Sequence, residues 1–152
     1  MHYRIRNQIS SLDALFDTAE NLTDEEIQGH FAKYLCVKTS GLFESFIKSQ
    51  IGDFADSTSA QPIAKHVKAK NKNFTNIDYR KLDGFLNSFS PDWWQKFEGK
   101  LTPDLKSSLN SVISNRNNIA HGNPDSITFG NMKTHYSNMK KIIELLDSII
   151  IR

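Results

Sequence analysis

Residues 129–150 read FGNMKTHYSNMKKIIELLDSII, and within them Phe129, Met132, Tyr136, Met139, Ile143, Leu146 and Ile150 alternate at spacings of three and four. A helix with about 3.6 residues per turn places all of these side chains on one side. The resulting seam is suited to packing lengthwise against another helix. A second long pattern lies near the other end of the chain, in two adjoining rows: Ile27, Phe31, Leu35, Leu42 and Phe46, then Phe43, Ile47, Ile51 and Phe54. It predicts a long, central helix that Gly41 can kink or thin without ending.

Working outward, Ile5, Ile9, Leu12, Phe16 and Ala19 predict an amphipathic N-terminal helix that closes at Asn21 and Leu22. Thr23 and Glu26 have the spacing of a capping box, so the long helix is expected to open there. Asp56 to Gln61 is small and polar and reads as a loop, with Pro62 in the first turn of a short helix. Two further short helices are expected at about 76–89 and 91–99, the second carrying Trp93, Trp94 and Phe97. Adjacent tryptophans point in different directions on a helix, so one is expected in the core and one partly exposed. Thr102-Pro103 signals another N-terminus, followed by an apolar stripe of Leu105, Leu109, Val112 and Ile119. No segment alternates with period two. The expected fold is therefore all-α, a single domain over 1–152 built as a bundle of about four longer helices plus short ones.

Composition agrees with this and excludes several classes. The 152 residues are 38% hydrophobic and 24% charged with four prolines, which fits a folded domain and argues against extensive disorder. A lone cysteine, Cys36, allows no internal disulfide and no thiol-rich zinc site, and points to a reducing, cytoplasmic setting. Arg4, Arg6, Asp13, Asp17 and Glu20 leave no apolar core for an export signal at the N-terminus. Glu144 and Asp147 interrupt the most apolar run, which is far short of the roughly 20 residues a membrane span requires. His30, His66 and His135 lack metal-ligand spacing and no glycine-rich phosphate loop occurs, so neither a metal nor a cofactor is expected. A net charge of +2 permits an acidic partner such as RNA without requiring one.

The chemistry concentrates at Arg116-Asn117-Asn118-Ile119-Ala120-His121, followed by Gly122. Arg116 falls on the apolar stripe of its own helix, four residues after Val112 and three before Ile119. A guanidinium there must be paired, look into a groove or partner surface, or pack its stem while its head reaches solvent. Asn117 and His121 share a face one turn apart, whereas Arg116 and His121 are five apart and differ by roughly 140° around the helix. The long arginine side chain, an unwound last turn near Gly122 and Pro124, or a second copy of the helix across a dimer would each bring them together. The set suits RNA phosphodiester cleavage without a metal, in which a histidine moves protons and an arginine fork neutralises the charge growing on phosphate. The 2′-hydroxyl is then the internal nucleophile, leaving a 2′,3′-cyclic phosphate or its hydrolysed form and a 5′-hydroxyl.

This motif resembles that of the HEPN superfamily: an arginine, commonly a polar residue next, and a histidine four to six positions after the arginine. Arg116, Asn117 and His121 match it. The chain is most similar to the RiboL-PSP type of HEPN domain, which has a segment like Gly41-Leu42-Phe43-Glu44-Ser45-Phe46-Ile47-Lys48 in an early long helix and an Ala-His-Gly ending. The resemblance covers nearly the whole chain. It implies a helical bundle that dimerises so that two Arg-His motifs face each other in one composite RNase site, typically in host defence or toxin-antitoxin systems. On this reading Arg116, Asn117 and His121 are catalytic and an antitoxin is a candidate partner.

Plainer readings stand beside these. Arg116 can be a surface salt-bridge residue, His121 a helix-end residue interacting with the macrodipole, and Asn117 a solvated side chain. Glu44 either pairs with Lys48 four residues on or supports Arg116 from a neighbouring helix. Lys65, Lys68, Lys70 and Lys72, with His66 and Phe74 nearby, either contact an RNA backbone or belong to a solvated loop. Two alternatives to a nuclease follow: a catalytically silent HEPN module that binds RNA or a partner protein, and a helical scaffold with no nucleic-acid role.

Overall fold

Side chains at the helix starts take up the free backbone N–H groups of the first turn, and they set where the elements begin. A computed structural model describes residues 1–150, and among these it has seven helices and no strand. The four long ones are α1 (Tyr3–Glu20), α2 (Glu25–Thr58), α6 (Pro103–Ala120) and α7 (Phe129–Ile149). The three short ones are α3 (Gln61–Asn71), α4 (Tyr79–Phe89) and α5 (Pro91–Glu98). The fold is all-α. No helix among the described residues is long and apolar enough to cross a membrane.

The start of α2 corrects the expected capping box. Asp24, not Thr23, is its N-cap, and the Asp24 carboxylate accepts from the Glu26 and Ile27 N–H groups at 2.9 and 3.0 Å. A short acidic side chain satisfies two donors at once and carries the charge that a helix N-terminus favours. The helix then runs to Thr58, into the segment expected to be a loop. Thr102 caps α6 as expected, accepting from the Leu105 N–H at 3.3 Å. Thr128 and Asn131 form a reciprocal capping box at the start of α7.

All seven seam residues from Phe129 to Ile150 are buried, and α7 lies against both α2 and α6. Both rows of α2 join this core between Leu35 and Ile51, whereas Ile27 at its start is 54% exposed. α1 covers another side of α2 with Ile5, Leu12, Phe16 and Ala19. The Tyr136 hydroxyl donates to Asp13 at 2.7 Å and Phe16 stacks on its ring, tying α7 to α1. α2 and α6 run antiparallel: the Cys36 thiol donates to the Val112 carbonyl at 3.5 Å, and Lys33 pairs at 3.1 Å with Asp125, just beyond the end of α6.

Both tryptophans are buried, contrary to the expectation of one partly exposed. α5 lies between two aromatic groups. Trp93 packs on Phe54 and Phe89, and Trp94 packs on Tyr79 and Phe97. Adjacent side chains separated by about 100° need two such surfaces; the α4–α5 hairpin supplies one, and α4 with Phe54 of α2 supplies the other.

Candidate functional site

α6 closes on a Schellman motif. His121 is its C-cap, Gly122 follows at φ +68°, the Gly122 N–H donates to Ile119 and the Asn123 N–H donates to Asn118 at 2.8 Å. Glycine adopts this left-handed conformation without the steric cost of a Cβ. The helix keeps its regular spacing through Ala120, so unwinding does not bring Arg116 and His121 together. The His121 side chain is exposed and has no hydrogen-bond or ion-pair partner among the described residues.

Arg116 is half-buried, and among the described residues no carboxylate pairs with it. Its Nη1 donates to Asn117 Oδ1 at 3.2 Å. That bond turns the Asn117 amide so that its NH₂ remains as a donor, beside a guanidinium with donors to spare. A partly desolvated cation with only a neutral partner attracts an anion. Glu44 does not supply one. Its Oε1 accepts from the Asn76 N–H at 2.9 Å, and it forms no ion pair with Lys48.

Glu44 instead shapes the neighbourhood through a loop. Asn76 has φ +54°, the Asp78 N–H donates to its carbonyl, and Asp78 caps α4. The Tyr79 N–H donates to Asn110 Oδ1 on α6 at 3.1 Å. A groove of about 410 Å³ lies along this junction, lined by Tyr79, Arg80, Asn110, Ser114 and Asn117. Arg80 thus joins Asn117 at one groove, although 37 positions separate them in sequence.

Asn115 anchors the chain that follows the motif. Its Oδ1 accepts from the Ser126 N–H at 2.9 Å, its Nδ2 donates to Ser111, and Asn131 holds the Ser126 carbonyl. The residue is buried, so burial on the last turns of α6 passes to Asn115 while Arg116 stays at the edge. Sequence reasoning missed Arg80, Asn110 and Asn115. For Asn115 a signal exists: it lies three residues after Val112, where a polar side chain on a packing face requires partners.

The lysines predicted for RNA are on a helix and not in a loop. Lys65, Lys68 and Lys70 belong to α3 and Lys72 is its C-cap. Lys68 pairs with Asp56 at 2.7 Å, and Lys68 and Lys72 line a groove apart from the motif. His135 accepts or donates at 3.0 Å to buried Ser108, which also accepts from Asn138, and burial holds the imidazole below its ordinary pKa. Burial, with Asp125 adding to it, pushes the Cys36 thiol up to about 12, which makes it inert. Among the described residues no three His, Cys, Asp or Glu side chains gather so as to hold a metal ion.

A family model described as RiboL-PSP-HEPN matches residues 2–152. No curated protein and no solved structure matches the chain.

Proposed function

The chain belongs to the RiboL-PSP-HEPN family, and from that premise we propose that it is a metal-independent endoribonuclease working as a homodimer, of the kind used in host defence or toxin-antitoxin systems. One observation carries the reading. Arg116 and His121 sit at the same helix end without a carboxylate partner among the described residues, and the regular spacing through Ala120 keeps them from meeting within one chain. Two copies of α6 approaching end to end supply two histidines and two guanidiniums around one phosphate.

In that site the ribose 2′-oxygen attacks phosphorus while the bond to the 5′-oxygen breaks. His121 of one copy takes the 2′-hydroxyl proton, and its counterpart gives a proton to the departing 5′-oxygen. Arg116 neutralises charge on the non-bridging oxygens, where a planar fork binds better than a point charge. The Asn117 NH₂, oriented by Arg116, holds the phosphate or imidazole. Arg80 lies on the approach beside Asn117. An antitoxin would act by covering this helix end.

The test is incubation of the pure protein with end-labelled RNA in EDTA, beside His121→Ala and Arg116→Ala. Cleavage by the wild type alone, leaving a 5′-hydroxyl, is expected. Intact RNA with the wild type, or equal cutting by both variants, overturns the proposal. Sedimentation checks the dimer independently, because a monomer at high concentration cannot assemble the two-chain site.

A further inference from the structure

Two grooves meet along the seam where α1 crosses α2. One, of about 540 Å³, has an apolar wall of Tyr3, Leu15, Val37 and Leu42 beside polar residues that include Asn7 and Gln8. The other, of about 760 Å³, lies between α1, α2 and α3 and is lined by His2, Arg4, Lys48, Lys68 and Lys72. Arg4 and Ser45 belong to both linings, so the two form a single trench. It extends along α2 from Val37 to Gly52, roughly 22 Å at 1.5 Å per residue.

The charge along this trench is one-sided. Counting Lys38, five of the nineteen Lys and Arg side chains line it, and none of the seventeen Asp and Glu do. Asp56 reaches Lys68 from outside the lining, but that pair is about half exposed and therefore weak, so a phosphate can compete for the ammonium. Tyr3, on the lining of the apolar half, is 65% exposed, with the His2 ring of the cationic half 5.7 Å away. Gly41 leaves open space where a Cβ would stand, which widens the apolar half. Phosphates want the cationic half, and flat bases want the apolar and aromatic half.

The apolar end is also near the motif's end of the molecule. Val37 is one turn along α2 from Lys33, whose ammonium pairs with Asp125 four residues beyond His121. We propose that this trench binds a single RNA strand flanking the cleavage point, with phosphates on Arg4, Lys48 and Lys72 and bases against Tyr3 and the Val37–Gly41 wall. The proposal rests on the endoribonuclease reading for the identity of its ligand. It assigns to part of the α3 lysine cluster a role that depends on α1 and α2, and it leaves Lys65 and Lys70 outside the trench.

The test is fluorescence anisotropy with a labelled single-stranded 2′-O-methyl RNA, which cannot be cut by internal attack, over a series of salt concentrations. Three forms are compared with the wild type: the triple variant Arg4→Gln, Lys48→Gln, Lys72→Gln; the plug Gly41→Trp; and the control Lys100→Gln, Lys141→Gln on exposed positions elsewhere. The triple variant is expected to bind at least ~10-fold more weakly, with a salt slope smaller by about 2, since each phosphate contact on a single strand contributes roughly 0.7. The plug weakens binding with the salt slope kept, and the control changes little. Circular dichroism verifies that each variant is helical. Equal losses in the triple variant and the control, or unchanged binding in both trench variants, overturn the proposal. So does a change confined to sedimentation, which makes the trench a protein-docking surface. Failure of the nuclease reading looks different: His121→Ala and the wild type are then equally inactive, while loss of RNA binding in the trench variants still stands.

Discussion

The two halves of α6 answer opposite demands. Up to Ile113 the helix buries Ser108, Leu109, Val112 and Ile113 against α2 and α7, whereas its end carries Arg116, Asn117 and the C-cap His121 half-buried or exposed. Packing rewards apolar surface removed from water, and the chemistry proposed on a phosphate needs polar groups that stay reachable. A helix end accommodates both here because the side chains of its last turns stay at or near the surface while those of its middle are buried. Asn115 is the join, turned inward to fix the loop that follows while the next two residues face out.

If the halves differ in this way, substitutions in them separate activity from stability. The largest effect is expected for His121→Ala, a drop in RNA cleavage of roughly 10²–10⁴-fold, the usual contribution of a general acid or base. Its melting temperature should match the wild type, since the side chain is exposed and has no hydrogen-bond or ion-pair partner among the described residues; a variant that melts early while still cutting RNA breaks the comparison. Leu109→Ala should do the reverse. Loss of a fully buried leucine costs about 2–5 kcal/mol, read from denaturant unfolding, and cleavage per folded molecule should persist.

Asn115→Ala sharpens the comparison at its boundary. It leaves the Ser126 N–H without its acceptor, at a cost of about 1–3 kcal/mol, and should loosen residues 121–128 as measured by amide exchange. Gly41→Ala is a smaller change of opposite sign. Its Cβ meets nothing within 4 Å, so stability should rise by roughly 0.5–1 kcal/mol.

The smallest expected effect comes from His135. Its pKa lies below the ordinary 6.5 because burial disfavours the charged form. As pH falls below about 6.5 the unfolded chain takes up the proton first. Stability is therefore complete above that value and is lost as pH falls through the lower folded value. His135→Gln should flatten the melting temperature between pH 7 and 5; an unchanged profile would show that Ser108 holds the imidazole equally well in both charge states.

The seven-residue seam of α7 and the rows of α2 were legible because helical period and burial coincide over several turns. The candidate site was legible only as a motif. Arg116, Asn117 and His121 could be picked out by residue type and by the apolar stripe that Arg116 interrupts, but not their partners. Glu44 is bonded to the Asn76 amide, Arg80 stands beside Asn117 across a groove, and Trp93 and Trp94 are both buried. None of these follows from spacing, since each depends on which helices become neighbours.

By itself the sequence determined that the chain is all-helical, where its long helices lie and which six residues carry the family's motif. Periodicity and local capping are properties of neighbouring residues. The tertiary structure alone decided that Arg116 and His121 remain apart in one chain, and that Arg4, Lys48 and Lys72 share a trench. The physical reasons differ. A rigid helix holds residues five apart on different faces, while packing α1, α2 and α3 together brings side chains from distant segments to a single surface.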